Sequence, residues 1–154
     1  MVRPTVEYAA TVWDPHEQKD KALLEAVQRR AARFVNNNYW EREPGTVTNM
    51  LNDLGWKSLE ERRKNSRLAM LYRIENEMIG IDKTKFLKPS DARTRGNNLN
   101  CESIFHPAMF YSFFPRTISE WNSLPNTITS APSLESFISR LGGSTPLLPP
   151  APHP

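Results

Sequence analysis

Residues 58–78, "SLEERRKNSRLAMLYRIENEM", decide the class of the fold. Ser58 and Glu61 stand three apart, the spacing of a capping box, in which the hydroxyl accepts from a backbone N–H one turn on and the carboxylate reaches back. Leu68, Leu71, Ile74 and Met78 then recur at intervals of three and four, so a helix to about residue 78 gathers them on one face. The first half of the segment carries cations instead, with Arg62, Arg63, Lys64 and Arg67.

The same grammar recurs on either side. Pro4 suits a first helical turn, and Val6, Ala9, Ala10 and Trp13 come after it at helical spacing. Asp14-Pro15-His16-Glu17 reads as a fresh helix start, with Asp14 as cap and Pro15 at the first position. Leu23, Val27, Ala31 and Phe34 form an apolar stripe over 15–35, and Asn36-Asn37-Asn38 ends it, because asparagine tolerates left-handed backbone. Thr46 caps a short helix through Leu54, Gly55 stops it, and Trp56 is placed to fold back on its last turn. Towards the C-terminus Pro115 can start a helix, with Ile118, Trp121 and Leu124 on one face. Ser133 caps a last helix bearing Leu134, Phe137, Ile138 and Leu141.

No stretch alternates as a half-buried strand would. The expectation is therefore a small all-α bundle of about five to six helices. It carries one long irregular stretch from about residue 80 to 110, a length typical of ligand-contacting or mobile segments. One helical segment covers residues 1–141, and 142–154, with five of its prolines in the last nine positions, reads as a disordered tail.

Composition bounds the function. No apolar run reaches membrane-spanning length, so no membrane partner is expected. The opening "MVRPTVEYAATVWDP" lacks the regions of a secretory leader. A lone Cys101 cannot close an internal disulfide, which points to an intracellular compartment, nuclear or cytoplasmic. Cys101, His16, His106 and His153 have no metal-ligand spacing, and no phosphate loop or nucleophile elbow occurs, so neither cofactor nor catalysis is expected. The net charge is +3, and residues 1–96 carry 18 basic and 14 acidic side chains against 2 and 3 in residues 97–154. That excess suits a polyanion, and equally a solvated helix surface.

Three basic clusters are candidates for nucleic-acid contact. Arg29 and Arg33 lie one turn apart with Arg30 beside the apolar stripe. Arg62, Arg63, Lys64 and Arg67 form the second cluster. Arg63 and Arg67, at i and i+4, repel by a few tenths of a kcal/mol unless an anion lies between them, which suggests a phosphate. The alternative is that Glu60 pairs with Lys64 and the rest is solvated. Lys83, Lys85, Lys88, Arg93 and Arg95 make a third cluster in the irregular stretch, suited to following phosphates without reading bases. "FYSFFPRTISEWNSLP", residues 110–125, divides in two. Phe114, Ile118, Trp121 and Leu124 read as core, whereas Phe110, Tyr111 and Phe113 precede the helix and could stack on bases beside Arg116. Core packing is favoured for them too, since so short a chain needs its aromatics inside.

Four stretches in this order, "RPTVEYAATVWDP", "VQRRAARFV", "VTNMLNDLGWKSLEERR" and "FFPRTISEWNSLP" with "PSLESFISRL" after it, resemble the region after the polymerase core in non-LTR (LINE-type), jockey-like retrotransposon reverse transcriptases. The likeness covers about residues 2–141. The family's paired metal-binding aspartates are missing, so it implies a non-catalytic fragment: the helical end of the thumb and the region C-terminal to it. That region holds RNA or template–primer duplex against the rest of the reverse transcriptase. By matching position it makes Arg29, Arg30, Arg33, Arg62, Arg63 and Arg116 candidates for this contact. The proline-rich tail departs from the pattern. The runner-up is a helical protein-interaction module that packs on a polymerase core or other partner without binding nucleic acid.

Overall fold

The computed structural model describes residues 10–89, 99–101 and 112–142, and among them helix dominates, as the all-α expectation has it. In chain order the elements are α1 (Ala10–Trp13), α2 (Gln18–Val35), α3 (Thr46–Asp53), α4 (Leu59–Glu75), a 3-10 turn (Lys83–Lys85), β1 (Leu87–Pro89), β2 (Leu99–Cys101), α5 (Phe113–Asn122), α6 (Asn126–Thr129) and α7 (Leu134–Gly142). Met1–Arg67 and Leu68–Pro154 form two units, and α4 gives its first half to one and its second half to the other. The readings placed on Pro4, Val6, Ala9, Arg93, Arg95, His106, Phe110, Tyr111 and 143–154 lie outside the described residues.

In the first unit α2 begins at Gln18, later than "DPHE" suggests, and Glu17 occupies the N-cap, so Asp14 is not the cap. The end of the helix is the one its asparagines predict. Asn37 takes φ 47°, Asn38 N–H donates to Arg33 O at 3.1 Å and Asn37 N–H to Phe34 O at 3.2 Å. These are the paired bonds of a Schellman turn. α3 ends likewise on Gly55, φ 62°, with Trp56 N–H on Leu51 O at 2.8 Å and Gly55 N–H on Asn52 O at 2.9 Å. At its other end Gly45 holds the N-cap and Thr46 is the first helical residue. The capping residue of α4 is the expected one: Glu61 N–H donates to Ser58 Oγ at 3.1 Å. The carboxylate of Glu61 turns to Lys57 Nζ at 2.9 Å, while Glu25 Oε1 accepts from Glu60 N–H at 2.9 Å.

The stripe expected to face the core on α2 does so only in its middle, where Val27 and Ala31 are half-buried, and not at its ends. Leu23 is 68% exposed and Phe34 73%, while the buried residues of α2 are Gln28 and Ala32, nearly opposite them on the helix. The small Ala32 allows close approach, and Gln28 Nε2 reaches Lys57 O at 2.9 Å, so a polar side chain is buried with its donor satisfied.

In the second unit the core is built by Leu68, Leu71, Tyr72 and Ile74 of α4 with Leu87, Leu99, Ile118, Trp121, Ala131 and Phe137. The Phe137 ring stacks with both Tyr72 (4.6 Å between centroids) and Trp121 (5.4 Å). Tyr72 Oη donates to Ala131 O at 2.7 Å, which settles the one polar atom of that ring. α4 stops at Glu75 rather than Met78, and Met78 is exposed beyond a third Schellman turn whose left-handed residue is Glu77, φ 56°. Ser133 Oγ accepts from Ser136 N–H at 3.2 Å and caps α7 as expected.

The expectation of no strand is corrected in one place. β1 and β2 pair antiparallel with Leu87 opposite Cys101 and Pro89 opposite Leu99. Three residues per strand are too few for alternation to show. Asn122, the last residue of α5, holds the ribbon: its Nδ2 donates to Leu99 O at 2.8 Å and its Oδ1 accepts from Leu99 N–H at 2.9 Å. The amide thus replaces a neighbouring strand. Just before β1, Asp82 accepts from Thr84 Oγ1 at 2.6 Å and Thr84 N–H at 3.1 Å, and these bonds hold its carboxyl below the ordinary 3.8. α5 starts two residues before Pro115, which sits in the first turn where its missing N–H costs nothing. Phe113 therefore lies in the helix, edge-on to Phe114 at 5.1 Å, and both pack against the core.

Candidate nucleic-acid interface

The candidate cations do not share one surface. Arg63 and Arg67 are at most 2% exposed. They belong to a buried face of α4 whose i, i+4 series runs Leu59, Arg63, Arg67, Leu71, with both leucines buried as well. The anion that their spacing calls for is Asp14: Arg63 Nε donates to Asp14 Oδ1 at 2.6 Å, and Arg67 Nη1 forms an ion pair with Asp14 Oδ2. These two guanidiniums are turned inward on a carboxylate of the same unit, so neither is placed to meet a phosphate. The signal was in the sequence, since Arg63 and Arg67 fall in phase with Leu59 and Leu71. Asp14, 49 positions away from Arg63, gave none.

Arg62 and Lys64 are half-buried on the flanks of the same helix. Glu60, weighed as a partner for Lys64, pairs with Lys21 at 2.6 Å. In the second unit Arg116 is half-buried on α5, and Lys83 Nζ donates to Glu75 O at 2.9 Å and meets Glu77 at 3.1 Å. Arg93 and Arg95 fall outside the described residues.

What the structure does bring together is the C-terminal half of α2 and the loop after it. Arg29 and Arg30 are exposed. Arg33 is not free: its Nη1 donates to Asn38 O at 3.3 Å and Glu41 O at 2.8 Å, tying the loop to the helix end. Asn38 and Glu41 close the loop on themselves, Nδ2 to Oε2 at 2.7 Å and Glu41 N–H to Asn38 Oδ1 at 3.2 Å. On this braced loop Tyr39 and Trp40 are exposed. Residues 26–40 hold three arginines and no carboxylate, while Glu25 and Glu41 stand at either end, so the positive excess over 25–43 is a single charge. Arg33, in the last turn, also complements the negative C-terminal pole of the helix. Spacing alone singles out these arginines but not Tyr39 and Trp40, whose neighbours Glu41 and Glu43 make the loop look neutral.

Such a surface can bind anions and flat apolar groups. Among the described residues no group of His, Cys, Asp or Glu is arranged to hold a metal ion, and no helix is long and apolar enough to cross a membrane. The chain matches no protein-family model, no curated protein and no solved structure.

Proposed function

We propose that this chain is a non-catalytic helical segment that holds RNA or an RNA–DNA duplex, as the region after the polymerase core does in the jockey-like reverse transcriptases it resembles. The observation that carries the reading is the exposed, acid-free run of α2 with Arg29 and Arg30 outward. Lys64, Arg62 and Arg116 are secondary candidates, and Arg63 and Arg67 act in the fold.

The test is binding of a labelled RNA–DNA duplex against salt. Affinity should fall steeply between low and moderate salt, and Arg29→Glu with Arg30→Glu should reduce the slope of log affinity on log salt by about two contacts' worth. Arg140→Glu, on α7, should leave it nearly unchanged. No binding of either the duplex or single-stranded RNA at low salt by a chain with intact helical content would sink the reading.

A second reading is favoured by a separate observation. Leu23, Phe34 and Val35 are exposed on α2, an apolar display of the kind that marks a protein-docking face. On that reading the chain packs on a polymerase core or another helical partner, the complex is insensitive to salt, and Leu23→Asp abolishes it while duplex binding stays absent.

A further inference from the structure

We infer that the nucleic acid taken by this surface is single-stranded, with a base stacked on Trp40 and its phosphates met by Arg29 and Arg30. This rests on the nucleic-acid reading above and adds the state of the strand.

Exposure is the first argument. Trp40 is 87% exposed, Phe34 73% and Tyr39 46%, three rings within seven residues. A ring of that size is normally among the first things a small fold covers, since each aromatic side chain removes a large apolar area from water. Trp56, placed after the left-handed Gly55 much as Trp40 comes after the turn at Asn37, is half-buried.

The second argument is support. Trp40 is not displayed on slack chain. Arg33 binds the carbonyls on either side of the Tyr39-Trp40 pair, at Asn38 and Glu41, and the Asn38–Glu41 side-chain bonds shut the loop. Arg33 thus fixes the backbone from which the indole projects.

Charge is the third. Arg29 and Arg30 are exposed side by side and, over residues 25–43, four arginines stand against three glutamates, so an anionic partner with flat apolar faces fits better than an apolar helix, which would gain nothing from Arg29 and Arg30. A duplex presents phosphates but keeps its base faces inside the stack. A single strand offers both, and base–aromatic stacking tolerates any sequence.

The experiment uses the full chain with fluorescein-labelled oligo(dT) and oligo(U) of about 15 nucleotides, within the usual site sizes, and an RNA–DNA duplex of equal length. Single strands should bind more tightly than the duplex and quench tryptophan emission. Trp40→Leu should weaken single-strand binding about tenfold and leave duplex binding unchanged. Arg29→Glu with Arg30→Glu should weaken both. Equal affinity for both forms, with Trp40→Leu changing neither and no quenching in the native chain, overturns the stacking assignment while the nucleic-acid reading survives. Absence of binding to either form at low salt removes both. A dimer that reverts to monomer on Trp40→Leu identifies the patch as a self-association surface and also overturns the assignment.

Discussion

Asp14 is the residue on which most turns. Burying two guanidiniums takes them out of water, and only a well-placed carboxylate offsets that cost. Asp14→Ala should therefore destabilise the first unit by about 3–5 kcal/mol, since it removes a carboxylate that two buried cations share. Replacing the triad together, Asp14→Leu with Arg63→Met and Arg67→Met, should be neutral or stabilising. Urea denaturation monitored by circular dichroism separates these outcomes, and equal losses in both variants would show that the ion pairs are not the cause. The triad also shows where sequence reasoning stops. The i, i+4 pair of arginines suggests a phosphate, yet the anion present is Asp14, and a single aspartate distant in the chain has no periodicity by which to announce itself. Trp40 escapes notice for a related reason: exposure of one aromatic is decided by the loop around it, not by spacing.

The elements were legible where backbone chemistry is local. Ser58 and Ser133 cap the helices they precede, and Asn37 and Gly55 end theirs in left-handed turns. Glu77 performs the same turn without the usual residue, at φ 56°. A left-handed non-glycine position is strained by about 1–2 kcal/mol. Glu77→Gly should thus raise stability, by about 1 kcal/mol or less once the entropy of the unfolded glycine is counted, and its exposed pair with Lys83 contributes little against this. A thermal melt checks the sign. The ribbon was not legible, because its partners are ten or more residues apart and one of them is a side chain. Asn122→Asp exchanges the donor facing Leu99 O for an acceptor, and should cost about 1–3 kcal/mol. Hydrogen exchange at the Leu99 amide reads the loss directly. α2 misled for a different reason: its apolar stripe is real, yet the face most deeply buried is the one bearing Gln28 and Ala32.

At the scale of the molecule, the all-α class emerged from capping and periodicity alone, whereas the grouping of the cations did not. Thirteen arginines and lysines were candidates; their chemistry depends on which element, and which face of it, each occupies. Of those among the described residues, Arg29, Arg30, Lys85 and Lys88 emerge exposed, and of these only the first two share an element with Arg33, which braces the loop beside them. The buried triad has a further consequence in time. Asp14 and Arg63 close a loop of 49 positions, an entropic step that grows with chain length and is not rewarded until the pair is formed. While the chain is still assembling, Arg63 and Arg67 remain hydrated charges on an incomplete helix face. Asp14→Ala should then leave the refolding rate almost untouched and speed unfolding, a φ-value near zero in a chevron analysis. The carboxylate is a latch that closes late, so what it governs is how long the native state lasts, not how quickly it is reached.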